Sequence, residues 1–408
     1  MTIQGFNVAA WDLAKAHKPE HFVLDRVVRP NILSLKPYRC ARDDYQEGVL
    51  LDANENALGP SLGEQRINSF LDLHRYPDPG LFGTRAAVTA LRHLPDPAYT
   101  FLGVGSDEVI DLLQRCFARP GKEKILICPP TYGMYSVCAA VNDLDIVQIP
   151  LLTQEGKFAL DTPAVLAALE ADPSIRLVFI CSPGNPTGTL ISLEDVRAVL
   201  DCAAFEGLVV VDEAYIDFAL AEQTQGKKHG NEPISAIELV PEYENLVVSQ
   251  TLSKSFGLAG IRMGLAFSQP RVIQVMNNTK APYSISTPTA FYASQALSES
   301  GLSMMRTNVD TLVANRNALL QALATIPALG AVLGANDANF VLVPVLDAPH
   351  GKPDSQRAAQ VYKNMAEHSG VVVRDRSKEL GCAGCLRISV GTAEENEQCI
   401  ALLRAQLA

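Results

Sequence analysis

One lysine of this chain stands where its amine can act as a nucleophile. Lys254 lies in residues 247–267, VVSQTLSKSFGLAGIRMGLAF, after an apolar run and close to the hydroxyl groups of Thr251 and Ser253. An amine that small and apolar neighbours desolvate has a lowered pKa, and it attacks carbonyl carbons to form a Schiff base. The hydroxyl groups and Arg262, eight positions further on, can donate hydrogen bonds to a phosphate dianion. The stretch therefore predicts a Schiff-base lysine beside an anion site.

Four more polar side chains come directly after short apolar runs of the sequence, and these runs are predicted strands. They are Tyr132, Asn185, Asp212 and Tyr215. Short apolar strands that alternate with amphipathic helices predict an α/β fold, with a mostly parallel sheet between helices. In such sheets ligands bind outside the carboxyl ends of the strands. We therefore expect these four side chains and Lys254 at one edge of one sheet.

These residue types suit a pyridine ring better than a nicotinamide or a flavin. A carboxylate such as Asp212 keeps a pyridinium nitrogen protonated, so that the ring acts as an electron sink. Tyr215 and Asn185 can donate hydrogen bonds to a ring oxygen, and Tyr132 can stack on the ring face. A Gly-x-Gly-Ser turn at residues 103–106 opens an amphipathic helix, whose first N–H groups can bind an anion. Together these features predict pyridoxal 5′-phosphate (PLP) as the cofactor.

The composition of the 408 residues limits the other classes of function. Hydrophobic residues make up 48% and charged residues 19%, which predicts a large apolar core. The 34 basic and 45 acidic residues give a net charge of −11, which argues against nucleic acid or a membrane surface as partner. We expect a cytoplasmic protein, because no apolar run has the length of a membrane span and residues 1–22 show no targeting pattern. Cys382 and Cys385 form a C-x-x-C pair without further ligands, so no metal is predicted.

A series of motifs in fixed order resembles the fold type I PLP-dependent aminotransferases and, within them, the histidinol-phosphate aminotransferase family. The resemblance runs from about residue 29 to the C-terminus. Its motifs are LDANEN (51–56), RYPDP (75–79), GVGSDE (103–108), PPTYGMY (129–135), SPGNPTG (182–188), VDEAYIDF (211–218), TLSKSFGLAGIRMG (251–264) and LRISVGT (386–392). It implies a large domain with a mostly parallel central sheet between helices, a smaller α+β C-terminal domain and an N-terminal arm.

The resemblance also implies a role for each residue of the cofactor site. Lys254 would hold PLP covalently and move the proton, and Asp212 would bind the pyridine nitrogen. Tyr215 and Asn185 would hold the ring oxygen, and Tyr132 would stack on the ring. The residues implied to bind the cofactor phosphate lie in two loops: Ser106, Asp107, Glu108, Thr251, Ser253 and Arg262.

At the substrate side the resemblance implies two arginines and two tyrosines. Arg374 in VVVRDRS and Arg387 in LRISV would meet a substrate phosphate, and Tyr38 in KPYRCAR would close over it. Tyr76 would reach the cofactor phosphate of the neighbouring subunit and, with Asn185, border the substrate, which implies a homodimer with shared sites. The implied reaction is a ping-pong transamination between L-histidinol phosphate and 2-oxoglutarate, which belongs to histidine biosynthesis.

Three other functions stay open at this stage. Relatives that act on aromatic amino acids or on threonine phosphate share the central motifs, so an aromatic aminotransferase and a decarboxylase on the same fold are alternatives. Arg387 does not decide between them, because in the wider superfamily the corresponding arginine binds a substrate carboxylate. A sensor domain that only binds PLP is disfavoured, since this acidic chain has no basic helix-turn-helix segment before the fold.

We expect three parts along the chain. Residues 1–50 form an N-terminal arm that packs on the small domain and on a dimer partner. Residues 51–290 form the large PLP-binding domain, and residues 291–408, where the order of strands and helices changes, form the small domain. Within the arm, residues 29–38 carry two prolines and no helical period, which predicts an extended segment.

Overall fold

The computed structural model describes residues 16, 18–36 and 71–408, which form two β-sheets surrounded by helices. The motif at residues 51–56 and Tyr38 lie outside the described residues. The strands are β1 Thr100–Val104, β2 Lys124–Ile127, β3 Asp145–Gln148, β4 Ile175–Cys181, β5 Leu208–Asp212, β6 Leu246–Thr251, β7 Met263–Ser268, β8 Phe340–Pro344, β9 Arg374–Asp375 and β10 Cys385–Ser389. The α-helices of the described residues are α1 Leu24–Val27, α2 Pro30–Leu33, α3 Phe82–Leu91, α4 Gly105–Phe117, α5 Met134–Val141, α6 Thr162–Ala171, α7 Leu193–Leu200, α8 Ile216–Thr224, α9 Pro270–Thr279, α10 Thr287–Ala296, α11 Glu299–Leu323, α12 Ser355–His368 and α13 Ala393–Leu407.

Seven strands form the larger sheet, in the order β1-β7-β6-β5-β4-β2-β3. The five strands from β3 to β6 in this order pair in parallel, and β7 runs antiparallel between β6 and β1. Every residue of β5, LVVVD, is buried, as a strand covered by helices on both faces requires. The predicted mostly parallel sheet between helices is therefore confirmed.

Two apolar clusters cover the two faces of this sheet. Val209 and Val211 of β5 belong to one cluster, whereas Leu208 and Val210 belong to the other. This division follows from the alternation of side chains along a strand. Because burial fixes the register of the strands, it also fixes which residues reach the carboxyl edge of the sheet.

The described part of the N-terminal arm packs on the larger sheet. Its apolar side chains belong to the same cluster as residues of α4 and α9: Phe22, Leu24, Val27 and Val28. The Arg29 N–H group donates to the Cys116 carbonyl at the end of α4. For residues 18–36 this differs from the predicted packing on the small domain. The predicted extended segment is also wrong for Pro30–Leu33, which form one helical turn, because proline is well tolerated at the first helical position.

Three antiparallel strands, in the order β8-β10-β9, form the smaller sheet. Side chains of α11, α12 and α13 pack with β8 and β10 in a separate apolar cluster. Helix α13 begins with a capping box, in which the Thr392 and Glu395 side chains each accept a hydrogen bond from the other residue's N–H group. The domain boundaries at residues 50 and 290 stay predictions.

A group of charged side chains connects the segment before β8 with helix α8, which follows β5 of the larger sheet. Asp337 is fully buried, and its carboxylate accepts hydrogen bonds from Lys228 and His229. Next to it, Glu222 of α8 forms an ion pair of 2.7 Å with Arg316 of α11. Their charges are therefore balanced within the group.

Among residues 16, 18–36 and 71–408, no helix has both the length and the apolar character that crossing a membrane would take. The cytoplasmic location stays a prediction.

Candidate active site

A cavity of about 420 Å³ opens at the carboxyl ends of β4, β5 and β6 and is closed on one side by β9 and β10. The structure brings together there twelve of the residues that the sequence predicted: Ser106, Asp107, Tyr132, Asn185, Asp212, Tyr215, Thr251, Ser253, Lys254, Arg262, Arg374 and Arg387. Predictions made from separate strands thus meet at one place, as the carboxyl-edge rule for parallel sheets requires.

Other predicted residues are not part of this lining. Tyr76 is 53% exposed, and its ring stacks on that of Tyr283 with 4.7 Å between the ring centroids. Glu108 accepts a hydrogen bond of 2.5 Å from the Val104 N–H group, so it caps the start of α4 and is not brought to the cavity. The place of Tyr38 lies outside the described residues.

Lys254 lies three residues after the end of β6, with its side chain half-buried in the cavity wall. Burial lowers the pKa of its amine, and the positive charge of Arg387 lowers it further. The Nζ atom lies 5.6 Å from the centre of the Tyr215 ring. The next residue, Ser255, donates a hydrogen bond to Asp217, which also binds Arg92. The hydrogen bond of Ser255 therefore fixes the loop that carries Lys254. The lowered pKa favours the unprotonated amine.

Asp212 is the last residue of β5 and is 3% exposed. Its carboxylate accepts hydrogen bonds from the Tyr135 hydroxyl at 2.8 Å and from the Ala214 N–H group at 3.2 Å. Burial raises the pKa of this carboxyl to about 6, although the Tyr135 hydrogen bond opposes the shift. Within the described residues no cationic side chain forms an ion pair with Asp212. A buried carboxylate of this kind favours a protonated, positively charged ligand atom.

The neighbouring carboxylate, Glu213, is equally buried but faces away from the cavity. It accepts hydrogen bonds from Ser235, from the Ala236 N–H group and from Gln250. Burial raises its pKa to about 7. The two carboxylates therefore differ in their partners rather than in their burial, and only Asp212 is available to a ligand.

An anion cradle lies around the start of α4. It is formed by side chains of the first turn of α4, the end of β6 and the segment between β6 and β7: Ser106, Asp107, Thr251, Ser253 and Arg262. Helix α4 begins at Gly105, whose φ of +73° suits glycine. A Cβ atom on Gly264 of β7 would lie 2.1 Å from the Gly105 carbonyl carbon, so the backbones touch directly. Helix N–H groups, three hydroxyls and a guanidinium at one point form a site for a phosphate-sized anion.

Tyr132 and Asn185 also line the cavity. The Tyr132 hydroxyl donates to Asp107 at 3.0 Å, and burial raises its pKa. The Asn185 side-chain oxygen accepts from Arg387. Because Arg387 already donates to the side-chain oxygen of Asn185, the side-chain NH₂ group of Asn185 is left to donate to a bound ring oxygen.

The opposite side of the cavity is an arginine wall, formed by Arg374, Arg376 and Arg387. Arg374 and Arg387 are register partners across β9 and β10. The Arg387 guanidinium lies 5.3 Å from the Phe340 ring centre, and burial lowers its pKa, helped by the charge of Arg376. Like charges placed opposite one another are destabilising without an anion between them.

Sequence reasoning missed two contributors to this site, Tyr135 and Arg376. Tyr135 follows Tyr132 by three positions, the spacing that puts two side chains on one face of a helix. Arg376 follows Arg374 by two, the spacing that puts two side chains on one face of a strand. The first spacing could have identified Tyr135, whereas β9, with two residues, is too short to show the period that includes Arg376.

Fold and site together define a class of protein. Residues 46–403 match the family model described as aminotransferase class I and II. The chain belongs to this family of aminotransferases, and the family implies PLP as cofactor.

Relatives with the name histidinol-phosphate aminotransferase match nearly the full length. The protein of Candida maltosa is 45% identical over 399 residues, which cover 95% of this chain and 98% of that one. The protein of Saccharomyces cerevisiae is also 45% identical, with the same coverage. The structure of the Sinorhizobium meliloti histidinol-phosphate aminotransferase, solved in complex with pyridoxal-5′-phosphate, superimposes with a TM-score of 0.70 at 23% identity and covers 87% of this chain and 89% of that one. The predicted resemblance and the fold type I architecture are therefore confirmed.

Proposed function

We propose that the protein is a PLP-dependent histidinol-phosphate aminotransferase, which exchanges an amino group between L-histidinol phosphate and 2-oxoglutarate. One observation carries this proposal. The cavity has a desolvated lysine, a buried carboxylate that no cation of the described residues pairs with and an anion cradle on one side, and three arginines on the other. The first side suits the cofactor, and the second suits a donor with a strongly anionic end.

The residues present fit PLP. The cradle around Gly105 offers N–H, hydroxyl and guanidinium donors for its phosphate. Asp212 offers the buried negative charge that a pyridinium nitrogen needs, and Tyr132 offers an aromatic face beside it. When bound, PLP supplies an electron sink for the electrons left at the substrate carbon after proton removal.

Lys254 has two tasks in this proposal. Its amine attaches the cofactor, which needs the unprotonated form that burial favours. Its Nζ atom would also take the proton from the substrate carbon as a general base, and would give the same proton back as a general acid. Asp212 stays ionised throughout and keeps its partner protonated, and Tyr135 holds the carboxylate in position.

The arginine wall serves both half-reactions. Histidinol phosphate carries a phosphate where an ordinary amino donor carries its α-carboxylate, and 2-oxoglutarate carries two carboxylates. Arginine binds either anion with paired N–H donors. A ping-pong enzyme must use one site for both reactants in turn, and this wall meets that need.

An amino-donor panel with 2-oxoglutarate tests the proposal, with glutamate formation as the measured product. We expect L-histidinol phosphate to have the highest kcat/KM. A higher value for phenylalanine would make the protein an aromatic aminotransferase. Release of carbon dioxide from threonine phosphate without glutamate formation would make it a decarboxylase.

Replacing Arg374 with alanine should damage the half-reaction with histidinol phosphate much more than the half-reaction with phenylalanine. The lost contact is a hydrogen bond to a charged group, which costs about 1.5–3 kcal/mol, or roughly 10–150-fold in kcat/KM. Single-turnover rates with each donor measure the difference. Equal losses for both donors would show that Arg374 supports the fold rather than the phosphate.

The homodimer with shared sites, which is part of the proposal, has its own test. Tyr76 is exposed and outside the cavity lining of its own described chain, as a residue serving a neighbour would be. Mixed dimers of Tyr76→Phe and Lys254→Ala subunits should then contain one intact site and one doubly damaged site. Activity above that of both parent variants is expected in a reassociation assay. If mixing gives only half the activity of the Tyr76→Phe parent, each subunit uses its own tyrosine.

A further inference from the structure

Three arginines lie on one face of the smaller sheet, at the cavity. Arg374 is the register partner of Arg387, and the Arg376 N–H group donates to the Cys385 carbonyl at 2.9 Å. Side chains two apart on an extended strand point to the same face, so Arg376 continues the row that Arg374 begins. All three line the cavity. Arg376 therefore lies on the same wall as Arg374 and Arg387, although the sequence motifs assign it no role.

Among the described residues, one carboxylate forms an ion pair with Arg376. Its Nη1 atom lies 2.6 Å from Oε1 of Glu379, three positions further along the chain. Both side chains are largely buried, with exposures of 22% and 26%. An ion pair that is withdrawn from water is costly to form unless its remaining polar atoms are also satisfied.

Those remaining atoms are not satisfied. Within the described residues, Nε of Arg376, Oε2 of Glu379 and Nε of Arg387 are buried and make no hydrogen bond. A buried donor without a partner is costly, and more so when it is charged. Two guanidinium groups on one wall thus keep unused donors, which an oxygen-rich anion between them could satisfy.

The charges lead to the same conclusion. The arginine wall brings three cationic side chains to this side of the cavity, and Glu379 is the carboxylate paired with one of them. A monoanion and a dianion therefore differ in how well they compete with Glu379 for Arg376. A phosphate dianion brings enough charge and enough acceptor oxygens to take Arg376 from Glu379, whereas a single carboxylate competes on equal terms with it.

We propose that Arg376 is a third arginine of the donor-phosphate site, and that Glu379 competes with the substrate phosphate for it. The inference rests on the proposed function, because it assumes a phosphomonoester donor. Glu379 keeps Arg376 neutralised in the empty site and gives it up to a dianion. The pair then acts as a specificity-determining element, which favours phosphorylated donors over donors that bring only a carboxylate to this wall.

The two partners of this ion pair should have opposite effects on phosphate binding. Arg376→Gln should weaken the binding of inorganic phosphate to the holoenzyme and raise KM for histidinol phosphate, each by about tenfold or more. Glu379→Gln should strengthen both by about threefold to tenfold, because it frees the guanidinium. Arg376→Lys keeps the charge and should recover part of the loss. KM for phenylalanine, which brings a single carboxylate to the wall, should change less than KM for histidinol phosphate in every variant.

Calorimetric titration of the holoenzyme with inorganic phosphate gives the affinities without any turnover, and steady-state kinetics give KM. The matched control is the Arg115–Asp111 ion pair of α4, which has a similar distance of 2.7 Å. Arg115→Gln and Asp111→Asn should leave phosphate affinity unchanged.

Changes of the same sign for Arg376→Gln and Glu379→Gln, or changes in thermal stability alone, would overturn the inference and make the pair structural. Failure of the proposed function is a separate result. In that case wild-type protein would not transaminate histidinol phosphate, while the order of phosphate affinities would still decide the role of Arg376.

Discussion

Replacing Lys254 with alanine is expected to abolish transamination while the fold is kept. The variant loses the amine that attaches the cofactor and the base that moves the proton. Loss of a positioned acid–base group alone costs about 10²–10⁴-fold, and the loss of covalent attachment adds to it. Lys254 is half-buried but lies in a loop at the cavity, outside the two core clusters, so the folded structure does not depend on it. Glutamate formation and thermal unfolding measure the two effects.

Borohydride reduction of the wild-type protein identifies the lysine directly. The cofactor should become attached irreversibly to Lys254, and peptide mapping should find it there. Lys280 is an internal control, because burial lowers its pKa to about 8 and its amine is already bound to the Leu102 carbonyl. A label on Lys280 would contradict the assignment and show that a lowered pKa was sufficient for reaction.

Replacing Asp212 with asparagine should keep PLP bound but slow turnover strongly. An amide cannot hold the ring nitrogen protonated, so the ring becomes a poor electron sink. We expect kcat to fall by about 10²–10³-fold, which corresponds to roughly 3–4 kcal/mol in the activation barrier. The cofactor absorbance of the purified variant and its kcat with saturating donor test the two parts of this expectation.

Glu213→Gln is the matched control for this variant. Glu213 is adjacent, equally buried, and has its pKa raised in the same way by burial. Its three hydrogen-bond donors, however, come from Ser235, Ala236 and Gln250 rather than from the cavity side. This variant should lose stability and keep kcat. Near-normal turnover of Asp212→Asn would make Asp212 a strand-end carboxylate like its neighbour.

Much of the cofactor side was predictable because its residues follow strands. Asp212 ends β5, and Tyr132 and Lys254 follow β2 and β6 within five residues, so recognising three parallel strands was enough to bring their side chains together. The apolar runs that identify these strands are short-range features of the sequence. The larger sheet and half of the cavity therefore follow from local patterns.

The supports of these residues could not be predicted in the same way. The position of Lys254 depends on Ser255, Asp217 and Arg92, which are brought together only by tertiary packing. Arg92 lies 125 positions from its ion-pair partner Asp217. No periodicity relates residues so far apart, and charged residues on helices are usually exposed.

The arm and the arginine wall show two further limits. Residues 29–38 contain two prolines, which favour an extended chain, but Pro30 also suits the first turn of a helix, and contact with α4 and α9 decided between them. Strand β9 has only two residues, Arg374 and Asp375, too few to show a period of two. Arg376 was therefore not recognised as the next member of the row.

The division of the cavity between two sheets bears on how such an enzyme can change during evolution. The anion cradle is set by direct backbone contact between Gly105 and Gly264 of the larger sheet, where no side chain can be added without displacing the chain. The arginine wall stands on the smaller sheet, and its contacts are made by side chains. Substitutions on the wall can therefore accumulate and redirect the enzyme to new donors, while the cofactor chemistry is inherited unaltered.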